Sequence, residues 1–160
     1  MGRFLVILTL VCALLGGAAM YYLQVYGYYR TLPAQSTYDL GGAMVAIRDF
    51  RGIDSDSSPL RYRACFTLAE PAPDLPRVQA EPLNAPSWFD CFDAGRLGAD
   101  LAAGTAQTHR IAADTPWGFD RVLALYPDGR AYVWPQVNAC GAAHFDGQRL
   151  PAGCTPPPAR

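Results

Sequence analysis

An uncharged apolar run near the N-terminus is the feature that most constrains how this chain can fold. Between Arg3 and Arg30 the sequence reads FLVILTLVCALLGGAAMYYLQVYGYY, without an acidic or basic residue. About 20 apolar residues in a helix span roughly 30 Å, which is the thickness of the hydrocarbon core of a bilayer. We therefore predict an N-terminal transmembrane anchor over residues 1–30.

Five tyrosines crowd the C-terminal end of this run. Tyrosine suits the boundary between membrane and water because its ring is apolar while its hydroxyl binds water or a headgroup. Three of the five follow i, i+4, i+7 spacing and would share one helical face. We predict a membrane-interface belt formed by Tyr21, Tyr22, Tyr26, Tyr28 and Tyr29.

A cleaved signal peptide is the alternative interpretation of the same run. Residues 4–15 have the length of the apolar core of such a peptide, and Gly17-Ala18-Ala19 offers the small residues of a cleavage site. The apolar run continues past Ala19 without a polar break, which favours an uncleaved anchor. Arg3 favours a cytoplasmic N-terminus. The sequence therefore predicts a single-pass inner-membrane protein with its C-terminal domain in the periplasm.

The cysteines support export. Cys12 lies inside the apolar run, and an even number of cysteines in a compact exported domain is typical of disulfides. A bridge between Cys140 and Cys154 would close a loop of about 15 residues and stabilise the fold by roughly 3 kcal/mol. Cys65 would then pair with Cys91, although counting alone also allows two other pairings.

Prolines and glycines divide the rest of the chain. Residues 31–42 are rich in turn residues, and we predict a linker there. Residues 43–154 are expected to form one α+β domain, and residues 155–160 a proline-rich extended tail. Residues 70–86 contain five prolines, which lack the N–H that a helix or sheet ladder requires. We expect an extended surface loop over that segment.

One short helix and five or six short strands are expected in the exported domain. The helix is predicted over residues 93–104, with Asp93 as its N-cap and Gly104 at its end. The turns Pro127-Asp128-Gly129 and Asp146-Gly147 predict two hairpins. Strands and hairpins are expected at 43–50, 61–69, 106–113, 121–137 and 142–154. The fold class is therefore α+β, with one N-terminal transmembrane helix and a mainly antiparallel sheet.

The stretch GIDSDSSPLRYRACF (52–66) looks most like a site. In a calcium loop, Asp54, Asp56 and Ser58 would take the first, third and fifth positions. The sixth position is Pro59 instead of the required glycine, and the twelfth is not glutamate. The pattern therefore favours an ordinary serine–aspartate turn.

Two arginines follow that turn. Arg61 and Arg63 would project from the same face of the predicted strand, about 6–7 Å apart. Such a pair can clamp an anionic group or a partner, and it can equally form ion pairs on a solvated face. We retain Arg61 and Arg63 as candidate anion or partner contacts.

Cofactor and catalytic signatures do not support an enzyme. A metal or haem site would have to use Cys65, Cys91, His109 and His144 with Met44, none of which has ligand spacing such as C-x-x-C or H-x-x-x-H. The G-x-S-x-G motif and a phosphate loop are absent from the sequence. We therefore expect no catalytic, metal or cofactor site and no cofactor.

Two further features bear on partners. The segment SWFDCFD contributes Trp88, Phe89 and Phe92, which we expect to pack in the core or, alternatively, to form a partner-binding patch. The formal net charge is -1, and no basic cluster suggests nucleic-acid binding. The expected partners are membrane lipid and an envelope protein.

Several blocks carry a family resemblance: GIDSDSSPLRYRACF, APSWFDCFDAGRLGADLAAG, DRVLALYPDGRAYVWPQVN and FDGQRLPAGCTPPP, with the membrane-proximal AMYYLQVYGYY. Together they resemble a family of uncharacterised short membrane-anchored proteins from Rhodobacter-type alphaproteobacteria. The resemblance implies an inner-membrane setting. We expect a non-enzymatic accessory or assembly protein of the envelope, and the alternative is a periplasmic thiol-redox or metal-handling factor.

Overall fold

The computed structural model describes residues 1–158, so that the last two residues of the predicted tail, 159–160, lie outside the described residues. Helix α1 (Gly2–Tyr22) continues as a π-helical turn (Leu23–Gly27). The most apolar 18-residue window within Gly2–Gly27 has a mean hydropathy of 2.3, and none of that window is buried inside the protein. This helix is therefore long and apolar enough to cross a membrane.

Seven antiparallel strands follow the helix. Their bounds are β1 (Arg30–Thr31), β2 (Thr37–Leu40), β3 (Ala43–Asp54), β4 (Arg63–Leu68), β5 (Gln107–Ala112), β6 (Phe119–Leu125) and β7 (Arg130–Val137). They form one sheet in the order β1-β3-β4-β7-β6-β5, with β2 paired to β3. The predicted α+β fold with a mainly antiparallel sheet is confirmed.

The sheet buries a separate apolar core on each face. Because side chains alternate along a strand, Ala64 and Phe66 of β4 join the first core, whereas Cys65 joins the second. The β2–β3 hairpin contributes to the first core. The second core is covered by α2 (Ala94–Ala102) and by the proline-rich loop, and Trp134 is fully buried within it.

Helix α2 has the predicted boundaries. The side chain of Asp93 accepts a hydrogen bond from the backbone N–H of Arg96 at 3.0 Å, which satisfies one of the donors left free at a helix start. Gly104 follows the last turn with φ +73°, a conformation that glycine adopts without strain. Leu97 is buried in the second core, so α2 is held by the sheet beneath it.

The proline-rich loop over residues 70–86 runs along the outer edge of β5. The backbone N–H of Val78 donates to the carbonyl of Thr108 at 3.1 Å, and the N–H of Arg110 donates to the carbonyl of Pro76 at 2.9 Å. These bonds satisfy edge groups that a strand otherwise leaves open. The loop thus closes that edge of the sheet.

Part of the predicted linker requires correction, because strand β2 lies within residues 31–42. Tyr38 and Leu40 are buried and alternate with exposed neighbours. Gly41 and Gly42 form the two-residue turn into β3 with φ values of +70° and +93°, which is the geometry that a Gly-Gly pair favours in hairpins. A four-residue strand offers too short an alternation to be separated from turn residues by pattern.

The predicted hairpin over residues 142–154 is wrong, because helix α3 (Ala139–Phe145) occupies its first part. The side chain of Asn138 caps this helix by accepting from the N–H of Gly141 at 2.9 Å. Gly147 has φ +67° and follows the end of the helix. The positive φ expected of a hairpin turn is thus used here to end a helix. Helix α3 is also one more short helix than predicted.

Gly141 sits where α3 touches the loop before β6. A Cβ atom on Gly141 would lie 2.8 Å from the Cα of Gly118. We expect Gly141→Ala to lower the free energy of unfolding by about 1–3 kcal/mol because backbone must shift. Urea denaturation of the full chain in detergent measures this. The control Gly98→Ala, in open space on α2, should stabilise by about 0.5–1 kcal/mol, and equal effects of the two variants would contradict the packing argument.

Candidate functional site

The end of the N-terminal helix is fastened to the folded domain at a helix–sheet junction, which comprises residues 24–30, Arg61 and Trp88. The indole N–H of Trp88 donates to the carbonyl of Val25 at 2.7 Å. The guanidinium of Arg61 donates to the carbonyl of Gln24 at 3.2 Å. Carbonyls at a helix end lack partners within the helix, and here side chains of the domain supply the donors.

Aromatic contacts reinforce the helix–sheet junction. The Tyr26 ring stacks on Trp88 with centroids 6.3 Å apart, and Tyr29 meets Trp88 edge-on at 5.9 Å. Arg61 lies over the Tyr29 ring at 5.2 Å, close enough for a cation–π attraction. Tyr29 also packs against the second core. Tyr29 is partly buried, whereas the other four tyrosines of the predicted belt are exposed: Tyr21, Tyr22, Tyr26 and Tyr28.

The serine–aspartate stretch binds Arg30, the last residue of the 24–30 segment of the helix–sheet junction. Arg30 opposes Asp54 in the β1–β3 ladder, and its guanidinium donates to Asp56 at 2.5 Å and to Asp54 at 3.4 Å. The hydrogen bond to Asp56 is the main cause that raises the pKa of Arg30. Within residues 1–158, no group of three or more His, Cys, Asp or Glu side chains is placed to hold a metal ion. The stretch forms a turn that holds β1.

Arg63 is not on a solvated face, which was one of the two possibilities for the arginine pair. Its side chain is 4% exposed, and its guanidinium lies over the Phe92 ring at 5.7 Å. It donates to four backbone carbonyls, those of Leu60, Tyr62, Leu83 and Asn84, at 2.7–3.0 Å. Burial lowers the pKa of Arg63 to about 10, so the group stays charged at neutral pH. Arg63 therefore ties the proline-rich loop to β4 and is not placed to clamp an external anion.

The four cysteines of the folded domain lie in two pairs. Cys65 and Cys91 have their sulfurs 2.22 Å apart, and Cys140 and Cys154 have theirs 2.09 Å apart. These are the pairings that the loop spacing favours. Cys12 is the free cysteine within residues 1–158, exposed on α1.

The structure does not bring the other metal-ligand candidates together. The Nδ1 atom of His109 lies 3.1 Å from the carbonyl oxygen of Leu75, beside the edge of β5. His144 is on α3 and packs edge-on against Trp117 at 5.2 Å. Met44 is exposed near the β2–β3 turn. The three side chains serve different parts of the fold.

The aromatic residues of SWFDCFD (87–93) differ in their surroundings: two pack in the core, and one contacts the helix end. Phe89 and Phe92 are 4% and 5% exposed and belong to the second core. Trp88 is only partly buried and contacts the helix end. The sequence pattern identifies the cluster but not this division, because the partner of Trp88 lies 63 residues away.

A cluster of Tyr38, Tyr62 and Arg121 was not predicted from the sequence. The hydroxyls of Tyr38 and Tyr62 lie 2.8 Å apart, and the guanidinium of Arg121 lies over the Tyr62 ring at 4.1 Å. Strand alternation gives a signal for it, because Arg121 falls on the same face of β6 as Leu123 of the first core. A cation at the end of an apolar face is uncommon.

Loss of the Trp88 contacts should loosen the helix–sheet junction. In the Trp88→Leu variant, the carbonyl of Val25 loses its donor and Tyr26 loses its stacking partner. We expect amides of residues 23–31 to exchange with deuterium about tenfold faster or more, as the loss of one such contact implies. Mass spectrometry of the full chain in detergent measures this. Trp117→Leu is the matched control, and equal acceleration in both variants would argue against a specific contact.

A family model described as "Family of unknown function (DUF6446)" matches residues 34–155, a region that begins after α1 and β1 and includes both cysteine pairs. No curated protein and no solved structure matches the chain. Because the match covers more than half of the sequence, the chain belongs to the DUF6446 family of unknown function.

Proposed function

We propose that this protein is a single-pass inner-membrane protein and a non-enzymatic accessory or assembly factor of an envelope complex. Helix α1 serves as an uncleaved anchor, and the α+β domain lies in the periplasm of a Rhodobacter-type bacterium. The observation that carries the proposal is the helix–sheet junction, where the domain bonds directly to the backbone carbonyls of the helix end.

The helix–sheet junction supports a rigid arrangement. Only two residues separate the π-helical turn, which ends at Gly27, from strand β1, which begins at Arg30. With Gln24 and Val25 bonded to the domain, the helix and the sheet keep a fixed relative orientation. A flexible linker would let a catalytic domain reach distant substrates. A rigid connection instead suits a protein that a membrane partner contacts on its helix and its domain together.

Export of the domain has separate support. The two cysteine pairs tie Cys65 to Cys91 and Cys140 to Cys154, and such bonds persist in oxidising compartments such as the periplasm. The contacts of the helix–sheet junction involve residues 24–30 and would survive cleavage after Ala19. Cleavage therefore needs its own test.

Anchoring and orientation are tested on the native polypeptide. Reporter enzymes fused after Arg160 should be active only if they require the periplasm, and the chain should resist extraction by alkaline carbonate. N-terminal sequencing should begin at Met1 or Gly2. A mature protein that begins near Met20, or a chain released by carbonate, would contradict the anchor.

The partner is tested by crosslinking from both parts of the protein. Photoreactive residues at Leu14 on α1 and at Met44 on the domain, both exposed, should capture the same membrane protein in stoichiometric yield. Trp88→Leu should reduce crosslinking of this partner to both positions more than Trp117→Leu does. Repeated recovery of the uncrosslinked chain alone from both positions would count against an accessory role.

The thiol-redox alternative is separated by counting thiols. It requires a reactive thiol among the exported cysteines, whereas the proposed function requires all four in disulfides. Alkylation under non-reducing conditions, read by mass spectrometry, should label Cys12 and no other cysteine. Stoichiometric labelling of Cys65, Cys91, Cys140 or Cys154 would favour the redox function.

A further inference from the structure

A cavity of about 550 Å³ opens beside the unpaired side of β2, at the ends of β5 and β6. Its lining includes Arg121, Tyr38 and Tyr62 as polar groups, and Leu32, Met44 and Ile111 as apolar ones. The cavity is separate from the contacts of the helix–sheet junction. Its size is that of sites for small ligands.

Arg121 brings an uncompensated charge to this cavity. In the part of the chain that the structure describes, no carboxylate lies within ion-pair distance of its guanidinium, and its buried Nε atom has no hydrogen-bond partner. Asp39 also lines the cavity, but its Oδ1 atom accepts from the N–H of Gly42 at 2.7 Å. A buried polar atom without a partner is costly and marks a place where a ligand can supply one.

The two tyrosines add a neutral donor. When Tyr38 and Tyr62 share a hydrogen bond of 2.8 Å, one hydroxyl donates and the other keeps its own O–H for a further acceptor. Burial is the main cause that raises the pKa of each phenol, so both remain protonated at physiological pH. The cavity therefore presents a guanidinium and a phenolic O–H to the same space, which is a donor set for an oxyanion.

The register of the sheet places the cavity at the end that meets the helix. Arg30 pairs with Asp54, and Arg121 pairs with Pro135. Ile53 pairs with Arg63, and Ala64 pairs with Val133. When these two registers are continued by one and two residues, Asp54, Tyr62 and Pro135 fall in one transverse row. Arg121 therefore lies level with Arg30, the first strand residue after the helix.

We propose that the Arg121 cavity binds the phosphate group of an amphipathic molecule. The planar guanidinium donates two parallel hydrogen bonds to two phosphate oxygens. The phenolic O–H donates to one of the same oxygens, and the apolar side of the cavity contacts the attached hydrocarbon. An anionic lipid headgroup at the membrane surface is one source of this chemistry, and a free phosphate compound is the other. Only the lipid source rests on the proposed anchoring.

The experiment is a ³¹P NMR titration of the full chain in a non-ionic detergent. Three probes are compared: dihexanoyl phosphatidylglycerol, its zwitterionic phosphatidylcholine analogue and inorganic phosphate. We expect saturable binding of the anionic lipid, weakened about tenfold or more in Arg121→Gln. Arg48→Gln is the matched control, because Arg48 is exposed and pairs with Thr67 at the opposite end of the sheet.

The arms separate the two sources of phosphate. Saturable binding of the anionic lipid alone supports a headgroup, and comparable binding of inorganic phosphate supports a free phosphate compound. No saturation with either anionic probe, or equal binding by Arg121→Gln and Arg48→Gln, overturns the proposal. If Arg121→Gln does not fold, Tyr38→Phe and Tyr62→Phe, which remove the phenolic donors, should each weaken binding. Failure of the membrane anchor would leave the inorganic phosphate arm intact.

Discussion

Replacing Arg63 with methionine is expected to lower the free energy of unfolding by about 3–5 kcal/mol. The variant keeps an apolar chain against Phe92 but removes the donors of four backbone carbonyls. Two of these carbonyls, at Leu83 and Asn84, belong to the proline-rich loop. Buried carbonyls left without donors carry the full cost of desolvation.

Urea denaturation of the full chain in detergent gives the size of this effect. Arg63→Lys should recover little of the loss, because an ammonium cannot reproduce a planar fork aimed at carbonyls on two segments. Arg48 is exposed on β3 of the same sheet. The control Arg48→Met should therefore change the free energy of unfolding by less than about 0.5 kcal/mol. A loss for Arg63→Met as small as that for Arg48→Met would refute the role assigned to Arg63.

Removing the Cys65–Cys91 bridge is expected to cost about 3.5 kcal/mol in the chain-entropy model, because the two residues are 26 positions apart. The double variant Cys65→Ala, Cys91→Ala also leaves space in the second core, where both side chains pack. Its proline-rich loop should become sensitive to proteases before the rest of the domain does.

The matched control is removal of the other pair. Cys140 and Cys154 are 14 positions apart and lie outside both cores, so their double alanine variant should lose about 3 kcal/mol. Its new protease sites should fall near the C-terminus. Identical cleavage patterns in the two double variants would contradict the assignment of separate loops to the two bridges.

Much of the fold follows from local patterns. The turn before Arg130 joins β6 to β7 as predicted, with the N–H of Gly129 donating to the carbonyl of Tyr126 at 3.0 Å. Helix α2 carries its own cap in Asp93. Such elements are predictable because the residues that determine them are neighbours in sequence.

The candidate sites depend on distant residues and are less predictable. Alternation places Arg63 on one face of β4 but cannot say that a loop 20 residues later covers that face. The acceptor of Arg61 lies 37 residues away, in the helix end. The row that joins Arg30 on β1 to Arg121 on β6 crosses three strands in between. Each of these depends on strand order, which local pattern does not encode.

If the protein is anchored as proposed, the covered edge of β5 has a consequence for many copies confined to one bilayer. Confinement to two dimensions raises the frequency with which neighbouring domains collide, and an open strand edge would template hydrogen bonding between them. Here the N–H of Val78 already donates to the carbonyl of Thr108, and the carbonyl of Pro76 already accepts from the N–H of Arg110. A neighbouring domain therefore cannot pair with this edge to start a filament. The prolines of the covering loop add to this protection because proline has no N–H to donate to a sheet.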